Sequence, residues 1–266
     1  MTYGKYFLAA LAASLLIVGT QSSRAGAQTS GAQTPVALEL LLAVDASSSV
    51  DENEFELQMR GLAEAFRDPG VLAALELTWP RGIAVAVLLW SQESEQVEAL
   101  DWTPIRSAAD ALAFAQSLDE TPRYVTGGAT AVGTAIAEGA QWIETNDFVG
   151  ERKVIDVSGD GQSNEGVSAA VARAKAMKDG IVVNGLAILN EEPRLARYYL
   201  AGVVGGPGSF LLTADDFDDF ARAIRRKIYF EIAGPPIADA GDLGKGTADK
   251  NHPAGRRQSA SQSLRN

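Results

Sequence analysis

Asp45, Ser47 and Ser49 stand at two-residue spacing directly after the largely apolar run Leu38–Val44. Thr130 follows the glycine pair Gly127-Gly128, and Asp160 ends another apolar run that closes at Ser158. Carboxylate and hydroxyl oxygens are hard donors that suit magnesium, manganese or calcium and not zinc or copper. A buried strand that ends in polar residues delivers them to the protein surface. In open α/β sheets that edge is where ligands bind. The first expectation is therefore a hard-ion site begun by Asp45, Ser47 and Ser49 and completed by residues far along the chain.

Composition narrows the chemistry further. The 266 residues are 46% hydrophobic and 21% charged, which is the balance of a globular protein with a sizeable core. The chain has no Cys, which excludes disulfides, zinc-thiolate sites and thiol nucleophiles. Its one His, His252, lies in a polar tail, so imidazole catalysis and His-rich metal sites are excluded as well.

Residues 1–27 read as an export signal: Lys5, the apolar stretch Phe7–Val18, then the small-residue pattern Ala25-Gly26-Ala27. That twelve-residue stretch is too short for a comfortable bilayer span. Cleavage is expected after Ala27, giving a periplasmic or secreted product that begins at Gln28. Loss of Lys5 and Arg24 takes the formal charge from −11 to −13. So acidic a chain should repel nucleic acid and anionic membranes.

Residues 28–35 read as a linker, and the elements that must position the polar loops follow. Val36–Val44 and Ile83–Trp90 are nearly continuous apolar runs, the pattern of strands buried on both faces. Gln96–Trp102 reads as a short edge strand. Phe55, Met59, Leu62 and Phe66 recur at helical spacing in a helix expected to stop near Asp68-Pro69-Gly70. Ser107–Leu118 reads as a helix with Ala108, Leu112 and Ala115 along one face. Helices are expected from about Ala131 to Thr145, Ser168 to Lys178 and Pro193 to Leu200. Strands are expected at Lys153–Ser158, Ile181–Leu189 and Ser209–Leu212.

The last helix, about Asp215–Ile232, has acids early and Arg222, Arg225, Arg226 and Lys227 late, which complements the helix dipole at both ends. Residues 233–266 read as a disordered tail. Strands alternating with helices indicate one α/β domain, a Rossmann-like, doubly wound and mostly parallel sheet with helices on both faces.

Each polar loop also has an ordinary explanation. Ser49 with Glu52 has the spacing of a capping box. Gly127-Gly128-Ala129-Thr130 could be a turn plus a helix cap, and Asp160-Gly161 is a common turn dipeptide. The outline Gly128-x₄-Gly133-Thr134 lacks the lysine of a phosphate-binding loop. A calcium loop starting at Asp156 would need Glu at its twelfth position, which is Val167. Trp90, Trp102, Tyr198 and Tyr199 read as packing or surface residues, and the acids Asp215–Asp219 as a helix start.

Taken together, Asp45-x-Ser47-x-Ser49, Thr130 after a glycine pair and Asp160-Gly161 after a strand resemble the von Willebrand factor A (VWA) family. The resemblance covers residues 36–232. Ile155–Gly161, Asn184–Ile188 and Gly205–Gly208 further resemble a bacterial branch of that family whose role is uncharacterised. The resemblance implies a metal-ion-dependent adhesion site (MIDAS) made of Asp45, Ser47, Ser49, Thr130 and Asp160. It implies that Ser47 and Ser49 ligate the ion directly and that Thr130 does so directly or through water. Asp45 and Asp160 would hold coordinated waters and balance charge. The implied ion is a divalent cation, Mg²⁺ first, with Mn²⁺ or Ca²⁺ as alternatives. The implied partner is a protein that offers an Asp or Glu to it.

The resulting expectation is an exported binding module without enzymatic activity. A structural or assembly module whose metal mainly stabilises the fold is second. A metal-assisted hydrolase is third: Ala46-Ser47 stands where a second carboxylate would be needed after Asp45, and no His in the domain could serve a serine as base.

Overall fold

Leu38, Leu40, Leu42 and Val44 pack under one layer of helices, while Leu41 and Ala43 pack under the other. That alternation follows from the two-residue period of a strand and places β1 (Thr34–Asp45) in the middle of the molecule. Its one acid before the site, Glu39, is buried but satisfied. It accepts hydrogen bonds from Gly150 N (2.5 Å) and Asn146 Nδ2 (2.7 Å), which fasten the start of the neighbouring strand.

The computed structural model describes residues 33–234. Around β1 stand β2 (Ile83–Trp90), β3 (Gln96–Ile105), β4 (Phe148–Gly159), β5 (Ile181–Ile188) and β6 (Leu211–Ala214), in the order β3-β2-β1-β4-β5-β6. Only β3 runs antiparallel to its neighbour, at one edge. One face carries α1 (Glu52–Arg67), α2 (Pro69–Glu76), α3 (Ala108–Asp119) and α7 (Phe217–Ala233). The other carries α4 (Val132–Thr145), α5 (Ala169–Lys178) and the short α6 (Leu195–Tyr198), which continues as a π-helical turn over Tyr199–Val203. The α/β, doubly wound, mostly parallel architecture is as expected. The expected signal, most of the linker and the tail lie outside the described residues.

Several local expectations are corrected. The chain does not simply stop at Asp68-Pro69-Gly70. Asp68 accepts from Gly70 N (2.8 Å) and Val71 N (3.2 Å), and Pro69 opens α2, because proline is well suited to a first helical position. In α3 the buried face is Ala111, Phe114, Ala115 and Leu118, whereas Ala108 and Leu112 face solvent. Phe114 sets that phase by packing edge-on against Phe66, with ring centroids 4.9 Å apart. β6 begins at Leu211, two residues later than expected, while β1, β3 and β4 each extend beyond the expected bounds. The dipole argument for α7 holds at its start only. Asp216 caps the helix, Asp218 and Asp219 lie in its first turn, and no base stands in its last.

Lys227 is fully buried. Its Nζ lies 2.9 Å from Asp156 Oδ1 on β4 and 2.7 Å from Glu231 Oε1 one helical turn on. Asn184 on β5 donates from Nδ2 to both Glu231 oxygens (2.9 and 2.8 Å) and accepts from Phe210 N (2.8 Å). The Phe210 ring covers the ammonium at 4.3 Å. Burial pushes Asp156 up to about 6 even with Lys227 beside it. Burial also opposes the charge on Lys227, but Asp156 and Glu231 outweigh it and raise the pKa of the amine. Removing one partner of a buried ion group strands the others. Lys227→Met is therefore expected to cost about 3–5 kcal/mol, read as a lowered urea midpoint. A variant as stable as the parent would show that the group does not hold α7 to the sheet.

Candidate functional site

β1 and β4 pair in parallel, with Val44 opposite Ser158, and their continuations leave on opposite faces of the sheet. This is the point where the strand order reverses, the place where ligands bind in open α/β sheets. Asp45 is the last residue of β1 and fully buried. Its Oδ1 accepts from Ser47 N (2.8 Å), bending the chain so that the serine side chains turn back over the strand end. Ser47 Oγ lies 3.2 Å from Ser49 Oγ, and Ser49 Oγ donates to Asp160 Oδ1 at 2.7 Å. Four of the five expected residues are thus linked through one chain of hydrogen bonds across residues from two strand ends.

Thr130 arrives on the glycine loop. Ser48 N donates to Gly128 O (3.0 Å), which ties that loop to the serine loop. Asn164 Oδ1 accepts from Thr130 N (2.8 Å), and Asn164 N donates to Thr130 O (2.9 Å). Asn164 therefore joins the Asp160 loop to the glycine loop from both sides. A methyl group at Gly161 would stand 3.7 Å from Thr130 Oγ1, so the threonine hydroxyl lies against the turn that follows Asp160. Among the described residues no hydrogen bond joins that hydroxyl to the other four side chains.

The capping explanations fail for the serines and for Thr130. α1 is capped by Asp51, whose carboxylate accepts from Glu54 N (2.9 Å) while Glu54 accepts from Asp51 N (2.8 Å). The capping box is Asp51/Glu54 and not Ser49/Glu52. At α4 the cap position is Ala131, with no side-chain capping bond. The hydroxyls are free of that duty. The calcium-loop alternative also fails, since Asp156 and Ser158 lie inside β4. The early acids of the last helix are accounted for by Asp216 capping Asp219 N (2.8 Å) and by Arg222 pairing with Asp219.

Asp45 Oδ2 and Asp160 Oδ2 are buried without a hydrogen-bond partner, as is the Tyr199 hydroxyl. The first and last converge on one place, because a methyl group at Gly159 would meet Asp45 Oδ2 at 2.6 Å and the Tyr199 hydroxyl at 2.8 Å. Burial, reinforced by the neighbouring Asp160, pushes the Asp45 carboxyl up to about 7. Burial likewise raises Asp160, with Glu191 adding to the effect. Unsatisfied buried polar atoms cost about 1–3 kcal/mol each, so a cluster of them calls for an explanation. Hydroxyl and carboxylate oxygens with free lone pairs are the donor set of a hard divalent ion. Among the described residues no group of three or more His, Cys, Asp or Glu is placed to hold a metal, so any ion here would depend on the hydroxyls.

Three supporting residues escape the sequence reading. Gln58 donates from Nε2 to Asp45 O (2.9 Å), and its signal was a polar residue among Phe55, Met59 and Leu62 on the buried face of α1. Arg123 Nη2 donates to Ala46 O (2.8 Å) and Ser47 O (3.0 Å), bracing the serine loop from the loop after α3. Nothing in the local sequence marks it. Tyr199 is not merely packing: the π-helical turn starts at it and its hydroxyl lies beneath Gly159, a placement typical of functional sites. Tyr198 accepts from Ser163 N (3.2 Å). Trp90 is core, and Trp102 packs mid-strand against Trp142.

The unpaired Asp45 carboxylate has a testable cost. Its folded pKa of about 7 lies above the ordinary 3.8, so the penalty is full above pH 7 and fades as pH falls toward 4. In EDTA, Asp45→Asn is expected to unfold at higher urea than the parent at pH 8, by up to about 4 kcal/mol at about 1.4 kcal/mol per unit. The advantage should shrink between pH 7 and pH 4. A less stable Asn variant at pH 8 would mean that the carboxylate is satisfied after all.

The fold and the site can now be compared with known proteins. Proximal thread matrix protein 1 from the mussel byssus, solved with a zinc-occupied MIDAS motif, is 20% identical with a TM-score of 0.52, over 74% of this chain and 46% of that one. The vWF domain of the type V pili tip protein Mfa5 from Porphyromonas gingivalis is 11% identical with a TM-score of 0.52, over 76% of this chain and 98% of that one. The pilus adhesin SpaC from Lactobacillus rhamnosus GG is 14% identical with a TM-score of 0.54, over 74% of this chain and 31% of that one. The chain therefore spans about half the length of the mussel protein and under a third of the pilus adhesin. These similarities establish a VWA-like α/β fold. No curated protein matches the sequence. The model of the family described as "Protein of unknown function (DUF1194)" matches residues 35–236, almost the whole described domain, and the chain belongs to that family.

Proposed function

We propose that this chain is an exported binding module that captures an acidic group of a partner protein through a divalent cation held at a MIDAS-type site. The observation that carries this reading is the convergence of Ser47, Ser49 and Asp160 at one strand junction, with an unpartnered oxygen left on both Asp45 and Asp160. In this reading Ser47 and Ser49 ligate the ion through their hydroxyls, and Thr130 does so directly or through water. Asp45 and Asp160 hold coordinated waters and offset the charge. When bound, the ion supplies an electrophilic centre, since two carboxylates at most neutralise it and the hydroxyls add no charge. A carboxylate of the partner completes the coordination. Mg²⁺ is the first choice, with Mn²⁺ or Ca²⁺ as alternatives; the zinc-occupied MIDAS of the mussel protein supports a divalent ion in general.

The supporting residues have distinct tasks. Asp45 Oδ1 fixes the turn by accepting from Ser47 N. Gln58 and Arg123 hold the carbonyls of Asp45, Ala46 and Ser47, which keeps the hydroxyls directed toward Asp160. We read the site as non-catalytic, because Ala46-Ser47 stands where a metal-assisted hydrolase would need a second carboxylate after Asp45, and no His in the domain could serve a serine as base. The export signal read in residues 1–27 supports a location outside the cytoplasm. A second reading, in which the metal mainly stabilises the domain, is favoured by the complete burial of Asp45.

Thermal melting in Mg²⁺ or Mn²⁺ against EDTA is expected to show a rise of several degrees that Asp45→Ala abolishes. A pull-down from the exported fraction then separates the two readings. A partner retained only by the parent protein and only with metal supports capture, while metal-dependent melting with no metal-dependent partner supports the stabilising role. Identical melting in metal and EDTA would dispose of both.

A further inference from the structure

The loops that ring the site are acidic well beyond the proposed ligands. Arg123 and Arg194 are the only bases in residues 46–54, 91–95, 121–131, 160–168 and 189–194. Arg123 is committed to the Ala46 and Ser47 carbonyls, and its side chain is only 14% exposed. Against them stand acids that include Glu54, Glu93, Glu95, Glu165, Glu191 and Glu192, with Asp51 and Glu52 at the start of α1 besides. These acids lie close around the site. Glu191 acts electrostatically on both Asp160 and Glu54, and Asp160 acts on Glu54. Glu165 accepts from Glu93 N (3.3 Å), Glu95 accepts from Thr126 Oγ1 (2.6 Å), and Glu192 accepts from Gln162. Independently of this ring, Asp160, buried at 2% exposure in one of these same loops, keeps an unpartnered oxygen, as does the fully buried Asp45 behind it.

A divalent ion would balance Asp45 and Asp160 and leave the ring uncompensated. A partner carboxylate must then approach the ion through a negative field. Like-charge juxtaposition of that kind excludes partners unless they bring opposite charge of their own.

We propose that this surface selects a partner segment whose Asp or Glu is flanked by Lys or Arg. The proposal rests on the capture reading above and deepens it. Screening confines the effect to about 8 Å at physiological ionic strength. With about 3.3 Å of extended chain per residue, the useful bases lie within two or three positions of the acid. The acidic ring also explains how capture discriminates, because the ion alone would accept any exposed carboxylate.

Three short synthetic peptides test this: one glutamate with lysines two positions away on each side, the same peptide with alanines for lysines, and the lysine peptide with Gln for Glu. Fluorescence anisotropy would be read in Mg²⁺ or Mn²⁺ and in EDTA, at low and physiological salt. The lysine-flanked glutamate is expected to bind about tenfold more tightly than the alanine-flanked one, only with metal, and with a preference that weakens as salt rises. In a Glu165→Gln, Glu191→Gln, Glu192→Gln variant of unchanged melting temperature the preference should fall below about threefold. Equal metal-dependent binding of both glutamate peptides would overturn the selection by flanking charge and leave capture standing. Lysine peptides that bind equally with Glu or Gln, with or without metal, would overturn capture itself. So would metal-dependent binding by neither glutamate peptide.

Discussion

The parallel pairing of β1 with β4 at the reversal of the sheet is the constraint on which the rest of the site depends. It sets Val44 against Ser158, so that Asp45 and Asp160 leave the sheet side by side although more than a hundred residues separate them. Leu38–Val44 and Val154–Val157 are buried on both sides, and a slip of one residue would exchange the faces of every side chain. Register is therefore held by the whole core. The hydroxyl and carboxylate positions inherit that rigidity, with Gln58 and Arg123 bracing the one loop that leaves the sheet.

β4 and the turn that follows it carry two buried aspartates in contrasting situations. Asp156 faces the α7 side and meets Lys227 at 2.9 Å, within a group that also includes Glu231 and Asn184. Asp160, at the strand's end, receives one hydroxyl proton from Ser49 and keeps an oxygen free. Although neither Asp156 oxygen has a further hydrogen-bond partner, the first arrangement offsets its desolvation with the charge of Lys227. The second, with Asp45 beside it, does not. Two acids pushed toward protonation within one site are costly unless a cation joins them. Burial of the same kind thus meets a buried amine in one place and, in the other, no positive charge from any side chain among the described residues.

The VWA-like fold places the chain among proteins that include a matrix protein and pilus components, but a fold hosts many functions and the argument for this one rests on its loops. In the proposed reading the five oxygen-bearing residues would hold the ion, and the acidic ring around them would set which carboxylates can approach it.

Much of this was legible in the residues themselves. Continuous apolar runs and helical periods placed β1, β2, β4 and β5 and most helices, because burial on both faces or on one stripe leaves a local pattern. The spacing of Asp45, Ser47 and Ser49, with Thr130 and Asp160 at element boundaries, nominated the site. Local pattern failed where a residue had two possible uses. Pro69 could end a helix or begin one, Ala-rich α3 fitted more than one helical phase, and Ser49 fitted a capping box that Asp51 in fact forms. Lys227 read as a dipole partner, and only the packing of α7 on β4 and β5 made it the centre of a buried ion group. The roles of Arg123 and Tyr199 and the unpartnered oxygens of Asp45 and Asp160 could be recognised only in three dimensions. Periodicity encodes which face of an element is buried. Which polar atoms meet there, and which are left without a partner, is decided by contacts between elements distant in the chain.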